Sequence, residues 1–310
     1  MNVRVTNQTQ SANAVYFLRQ QAGEAARFQD QLSSGLKVKV ASDNPAAFAS
    51  VTQSLAISRR TGTYQQTIND ATADLNTGVS SLVDAGQVVA KAKQLAISAA
   101  NSGNDTSEYE AYASEVDSLL NQMLDIANRQ SDGRYLFGGT ADGAKPFRVG
   151  TLTPGGKPAS IAYDGAAERA SGRIGPSQTV DTKYVGSQVF QAAGADVFAE
   201  LIGLRDDLRD TSLPSGTKAK AISDRIGTLD AAQKQLGSVT GEQSAALAGM
   251  EALQERLVDL KLNADSRVTE LSGTDYAEAV VKLKEQEAAY QATLGVTGRL
   301  IQPSLLDFIR

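Results

Sequence analysis

Thr274-Asp275-Tyr276-Ala277-Glu278-Ala279-Val280-Val281-Lys282-Leu283 opens the last stretch of the chain, which runs on to Ile309, and its reading decides the fold. Tyr276, Val280, Leu283, Glu287, Tyr290, Leu294, Thr297 and Ile301 follow one another in steps of four and three. That spacing predicts a helix with a coiled-coil seam. Good helix formers flank the seam (Ala277, Glu278, Lys282, Lys284, Glu285, Ala288, Ala289), and no proline intervenes before Pro303, where the helix should stop. A single helix of this length is only marginally stable in water. Whatever buries the seam therefore decides what the chain does.

The other end of the chain offers a match. Val15, Leu18, Ala22, Ala25, Gln29 and Leu32 step in the same way along a segment that Gly35 ends. Its middle is small or polar, so it too carries little apolar surface and needs company. Between these ends, Leu36, Val38 and Val40 alternate with Lys37 and Lys39 as an extended connector would. Asn44-Pro45 then supplies a cap followed by proline at the first helical position.

From Ala46 to about Ala100 no proline intervenes, and Ile68, Ala71, Leu75, Leu82, Ala85, Val89, Ala92 and Ala96 hold heptad order through Gly78. At 1.5 Å per residue this predicts a helix of roughly 80 Å. Asn101-Ser102-Gly103-Asn104-Asp105 breaks it, and Ser107 with Glu110 has capping-box spacing for a helix seamed by Tyr112, Val116, Leu119, Met123 and Ile126. Asp132-Gly133 announces a turn before Tyr135-Leu136-Phe137-Gly138-Gly139-Thr140. Residues 141–190 then change character, with proline and glycine around short runs such as Ile161-Ala162-Tyr163 and Gln178-Thr179-Val180, which predicts a small β insertion. Helical spacing resumes at Val197, Leu201, Leu204 and Leu208, pauses at Pro214-Ser215-Gly216, and continues from Ile222 to Leu271. Only Ser272-Gly273 separates that run from the terminal helix. The chain goes out along helices, turns through a β module and returns.

Composition removes most catalytic chemistry. The 310 residues include no Cys and no His, which excludes disulfides, thiolate nucleophiles, imidazole bases and the usual zinc, copper and haem ligands. No cofactor or metal is expected. A net charge of −5 without a Lys/Arg run gives no nucleic-acid stripe. No apolar run approaches the roughly 20 residues that span a bilayer, and the first 30 residues lack a signal-peptide core. Protein partners are expected rather than nucleic acid or membrane. Asp70 with Asp74, and Asp206, Asp207 and Asp210, read as charged helix faces rather than acid/base or metal groups. Asp142, Asp164, Glu168 and Asp181 in the insertion lack a pocket signature for paired-carboxylate hydrolysis. Gly138-Gly139 lacks the Lys-Ser/Thr of a phosphate loop.

The order of elements, together with particular residues, resembles the bacterial flagellin family. Ser34-Gly35-Leu36-Lys37 followed by Ser42-Asp43-Asn44-Pro45-Ala46-Ala47 is similar to the family's N-terminal motif, with Asn44 where Asp is commoner. Lys93-Gln94-Leu95-Ala96-Ile97-Ser98-Ala99-Ala100-Asn101 resembles a flagellin segment that an animal innate receptor reads in some members, with Lys93 in place of their Arg. Gly133 through Thr140, Tyr163-Asp164-Gly165, Ile174-Gly175, Gln178-Thr179-Val180, Ala289 through Thr293 and Gln302 through Phe308 resemble the hook-associated branch, which forms the junction between hook and filament. The resemblance implies a non-enzymatic subunit of a helical tube, outside the cell, exported by the flagellar type III apparatus. It implies self-association and contact with flagellin, a neighbouring hook-associated protein and an export chaperone. The filament flagellins are the alternative branch.

The expected fold is mainly α: a long antiparallel helical rod with its terminal helices paired N to C and a small β-rich insertion. Residues 1–44 with 274–310 would form an inner terminal domain, 45–140 with 191–273 the rod, and 141–190 a surface β insertion. Val15, Leu18, Leu32, Tyr276, Val280, Leu283, Tyr290, Leu294 and Ile301 are the candidate polymerisation seam. Ends that become ordered by assembly should be cut first by a protease acting on the isolated chain. Equal protection of the ends and the middle in limited proteolysis would contradict this.

Overall fold

Heptad spacing and helix punctuation, taken together, account for the main elements of the computed structural model. It describes residues 2–101 and 106–301, with only the backbone described at residues 2–8, 10, 11, 215 and 299–301. The long elements are α1 (Asn2–Ser34), α2 (Pro45–Ala100), α3 (Thr106–Ala127), α5 (Val197–Arg209), α6 (Ser215–Ser272) and α7 (Tyr276–Ile301). Between α3 and α5 lie β1 (Gln130–Ser131), β2 (Arg134–Tyr135), β3 (Phe147–Val149), β4 (Ile161–Tyr163), β5 (Ala170–Arg173), β6 (Thr179–Lys183), the short α4 (Gly186–Phe190), β7 (Gln191–Ala192) and β8 (Ala195–Asp196). The strands pair only as local antiparallel hairpins, β1–β2, β3–β4, β5–β6 and β7–β8. The chain divides into two units, one of residues 61–259 and one of residues 1–60 with 260–310. The mainly α fold with a small β insertion is as expected from the sequence.

The core of the 61–259 unit is built on the predicted spacing. On α2, Ile68, Ala71, Leu75, Leu82, Ala85, Val89, Ala92 and Ala96 are all buried. On α6 every seventh residue is buried: Ile222, Leu229, Leu236, Gln243, Met250 and Leu257. The intervening seam positions Ile226, Gln233, Thr240, Leu247 and Gln254 are half-buried. From α3 come Val116, Leu119, Met123 and Ile126, and from α5 Val197, Leu201, Leu204 and Leu208. Alanine at so many α2 positions lets neighbouring helices approach closely.

The β module is anchored by aromatic packing. Phe147 on β3 is fully buried, with ring centroids 5.0 Å from Tyr163, 5.7 Å from Phe190 and 5.3 Å from Phe198. Phe137 meets Phe190 edge to face at 5.0 Å. Such rings bury large areas and gain from edge-to-face contact. Phe137 is thus a packing residue, while Tyr135 is half-buried. Asn128, just beyond α3, ties the module to the helices: its Oδ1 accepts from the Phe147 amide at 2.9 Å and its Nδ2 donates to the Phe147 carbonyl at 3.1 Å.

Several local expectations need correction. Asp132 and Gly133 both have positive φ (48° and 75°) and turn β1 into β2, as a tight hairpin turn requires. The strand that follows is only Arg134–Tyr135, after which Leu136 through Gly139 run buried, with the Leu136 amide donating to the Arg129 carbonyl at 3.1 Å and Gly138 bridging Val185. Gly139 has φ +62°, and a Cβ there would meet the Glu168 carbonyl oxygen at 2.5 Å and that of Ala166 at 2.9 Å. Close backbone approach, rather than a ligand, explains the glycine pair. Ser107 lies inside the first turn of α3, which begins at Thr106, so it is not the N-cap. Residues 102–105 of the predicted break, and Gln302 through Phe308 with Pro303, lie outside the described residues. Neither α4 nor the β7–β8 hairpin was signalled by periodicity, since each is only a few residues long.

One charge cluster in this unit is buried. Asp117 on α3 accepts from Arg209 of α5 at 2.9 Å, lies 3.2 Å from the Lys157 ammonium, and faces Arg205, itself 1% exposed, at 3.5 Å. Arg205 also donates to the Pro158 carbonyl at 2.7 Å and pairs with Asp206 at 2.7 Å. Burial pushes the Asp117 carboxyl up, but the hydrogen bonds and charges of Arg209 and Lys157 outweigh it and hold it below the usual aspartate value. A lowered native pKa stabilises the fold above the ordinary value of about 4. That contribution disappears as pH falls through the lowered native value. Asp117→Ala should cost about 3 kcal/mol at neutral pH. It should also flatten the loss of stability below about pH 4, read by denaturant melts across pH.

Candidate assembly surface

The two ends of the chain meet in the unit formed by residues 1–60 and 260–310. Gly35 ends α1 with φ +71°, its amide donating to the Gln31 carbonyl at 2.8 Å. The chain then pairs with the break between α6 and α7. The Lys37 amide donates to the Ser272 carbonyl at 2.7 Å, the Thr274 amide to the Gly35 carbonyl at 2.9 Å, and Leu36 bridges Gly273 antiparallel. The end of α1 is thereby fixed beside the start of α7, and the two helices pack along each other antiparallel. Asp275 starts α7, its Oδ1 accepting from the amides of Ala277 and Glu278 at 2.9 and 3.1 Å.

The connector is a turn rather than an extended strand. Val38 is buried while Leu36, Lys37, Lys39 and Val40 are all exposed, so the expected alternation of Leu36, Val38 and Val40 with the lysines is absent. Asp43 closes the turn by accepting from the Lys39 and Val40 amides at 2.9 and 3.1 Å. Those bonds hold its carboxyl below the ordinary aspartate range. Asn44 caps α2, its Oδ1 accepting from the Ala47 amide at 3.0 Å, as the sequence predicts. A cleft of about 540 Å³ at this corner sets Arg27, Lys37 and Lys282 against Asp43, Glu270 and Glu278. With both signs interspersed it carries no single-sign field.

Which stripe of α7 faces inward is the informative point. Ala279 and Thr297 are buried, and Leu283, Gln286, Tyr290 and Thr293 are half-buried. These positions keep four-three spacing, one residue away from the predicted seam at three of its steps. On α1 the half-buried row is Ala14, Leu18, Gln21, Ala25, Phe28 and Leu32. Of the candidate seam residues, Leu18, Leu32, Leu283 and Tyr290 therefore lie partly covered between the terminal helices. Val15, Tyr276, Val280 and Leu294 are exposed in the single chain, and the side chain of Ile301 lies outside those described. The sequence reading missed Phe28 and Gln286 inside, and Tyr16, Phe17, Val281 and Val296 outside. The adjacent apolar pairs Tyr16-Phe17 and Val280-Val281 were the available signal for a second apolar stripe.

This helix pair is therefore covered only in part: its larger inward side chains, Leu18, Phe28, Leu32, Leu283 and Tyr290, are half-buried beside alanine, threonine and glutamine. The Gln21 Oε1 atom is buried and bonded to no described residue, an arrangement that costs stability. Meanwhile Tyr16 and Phe17 are more than half exposed, at 65% and 54%, as are Tyr276, Val281 and Val296. Large apolar side chains left in water are candidates for cover by a partner. Other sequence candidates are engaged elsewhere: Lys93 pairs with Asp230, Asp207 with Arg225, Asp164 with Arg148, and Asp181 with Arg169. Among the described residues no cluster of acidic side chains could hold a metal ion, and no helix is long and apolar enough to cross a membrane.

Comparison with known proteins agrees with this architecture. Residues 5–142 match the bacterial flagellin N-terminal helical region. The chain is similar to flagellin A of Vibrio anguillarum, 26% identical over 151 residues (48% of this chain, 40% of that protein). It is also similar to flagellin B of Helicobacter pylori, 24% identical over 208 residues (64% of this chain, 39% of that protein). The chain thus spans about 40% of the length of the flagellins it matches. In fold it is similar to flagellar hook-associated protein 3 of Legionella pneumophila, with a TM-score of 0.60 at 15% identity over 71% of this chain and 98% of that one. Bacillus cereus FlgL gives 0.53 at 20% identity over 71% and 98%. The flagellar junction protein FlgL from Legionella pneumophila gives 0.51 at 15% over 61% and 95%. The expected likeness to flagellins and their hook-associated relatives is borne out.

The corner that joins the two ends has a direct test. Asn44→Ala should lower stability by about 1 kcal/mol through loss of a capping acceptor, and Asp43→Ala should loosen the turn at Lys39 and Val40. Hydrogen exchange should quicken at the Ala47 amide in the first variant and at the Lys39 and Val40 amides in the second.

Proposed function

We propose that this chain, which carries a flagellin-type N-terminal helical region over residues 5–142, is a structural subunit of the bacterial flagellum that links hook to filament at their junction. The observation that carries the reading is the helix pair α1–α7. Its internal seam leaves even its leucines, Phe28 and Tyr290 only half-covered, and its outer faces leave Val15, Tyr16, Phe17, Val280, Val281, Leu294 and Val296 in water. Burying such a side chain fully contributes about 1.5–3 kcal/mol. Packing several per copy against neighbouring copies offsets the entropy of ordering the ends. In this reading residues 1–44 with 274–310 form the inner wall of a tube, 45–140 with 191–273 the next layer, and 141–190 face solvent. The partners are other copies, flagellin, a neighbouring hook-associated protein and, before export through the flagellar type III apparatus, a chaperone. The site of action is outside the cell, and the role is mechanical rather than enzymatic.

Junction is preferred to filament because several solved structures that share this fold bear the hook-associated or junction name. The second reading, a filament flagellin, draws on the flagellins similar to the chain's N-terminal part. Labelling the protein on intact cells separates them: a spot at the hook end supports the junction, and staining along the whole filament supports flagellin. Leu294→Asp, on the exposed row, should leave the helix content of the isolated chain unchanged and stop assembly beyond the hook. Normal flagella from cells carrying only that variant would refute assembly through this surface.

A further inference from the structure

We propose that the interior of the 61–259 unit holds one ordered water molecule that joins α2, α6 and β6 through Gln243, Asp74 and Lys183. The inference is independent of the flagellar reading. Gln243 occupies one of the fully covered heptad positions of α6 and is 1% exposed, and its Oε1 atom accepts from no described residue. A buried amide oxygen left without a donor is costly, and native structures satisfy such atoms with protein groups or water. Opposite it stands Gly78, in the interior of a 56-residue helix where glycine is unfavourable. A Cβ at Gly78 would lie 3.0 Å from the Gln243 Oε1 atom, so the glycine leaves room for that carboxamide.

The oxygen is not isolated from other polar groups. Gln243, Gly78, Asp74, Thr182 and Lys183 line one small cavity of about 10 Å³, a space on the scale of a single water molecule. Lys183 on β6 is 5% exposed, and its ammonium pairs with Asp142 and stands 4.0 Å from the Asp74 carboxylate. That separation is too long for a direct hydrogen bond and is spanned by one water at ordinary hydrogen-bond lengths. The water would donate one hydrogen to Gln243 Oε1 and the other to Asp74 Oδ2, and accept from Lys183 Nζ. Three bonds are the usual complement of a buried water. A metal cation is disfavoured, because the Lys183 ammonium already supplies the positive charge beside Asp74. The consequence is mechanical: the β module is keyed to both long helices at one buried polar point.

Oxygen-17 water relaxation dispersion on the full chain in solution tests this, since it reads waters held far longer than surface hydration. Gln243→Leu removes the acceptor, and Gly78→Ala pushes the carboxamide into the cavity. Each folded variant should lose the dispersion amplitude of one long-lived water relative to the parent chain, and an unchanged amplitude would overturn the proposal. If neither variant keeps its helical circular dichroism, a high-resolution crystal structure of the parent decides. A density peak about 3 Å from Gln243 Oε1 supports the water, and a cavity without density overturns it.

Discussion

The pairing of Gly35, Leu36 and Lys37 with the Ser272–Thr274 break is the contact on which the arrangement of the chain ends depends. It joins positions more than two hundred residues apart and holds the last turn of α1 beside the first turn of α7. Once it forms, two helices that are each too polar to persist alone have a partner at fixed register. The residues that make it are those the sequence marks as breaks: a glycine that can take positive φ, and a Ser-Gly pair that interrupts seven heptads. Asp43 and Asn44 complete the corner by satisfying the amides that the turn and the start of α2 leave open.

Burial is distributed unevenly. The 61–259 unit carries leucine, isoleucine, valine, methionine and a cluster of four phenylalanines and a tyrosine in its interior. Among the described residues the terminal pair fully buries Ala279 and Thr297 and half-covers Leu18, Phe28, Leu32, Leu283 and Tyr290, while Val15, Tyr16, Phe17, Val280, Val281, Leu294 and Val296 face outward. The hydrophobic term that dominates folding is therefore supplied mainly within the 61–259 unit, and the terminal pair is covered only in part.

Much of this was legible from residue order. The buried α2 and α6 rows fall on the heptads read from the sequence, and Asn44-Pro45 starts the helix expected of it. The β module was legible as a change of composition but not as a topology. Its strands are two to five residues long and pair locally, so alternation is too brief to fix register. The charge cluster at Asp117 was also out of reach, since Arg205, Arg209 and Lys157 come to it from two distant segments.

Spacing alone determined that the ends are helices, that they carry seams, and that they are short of apolar surface. It did not determine which stripe turns inward. On α7 the rows through Val280, Leu294 and through Ala279, Thr293 lie side by side and both keep the four-three rhythm. A helix advances 100° per residue, so rows one residue apart share a broad face, and periodicity cannot choose between them. The corner between Gly35 and Thr274 holds the end of α1 beside the start of α7, and the row left inside on α7 runs through Ala279, Leu283, Gln286, Tyr290, Thr293 and Thr297. That contact spans the length of the chain, so tertiary structure decided what no local pattern could.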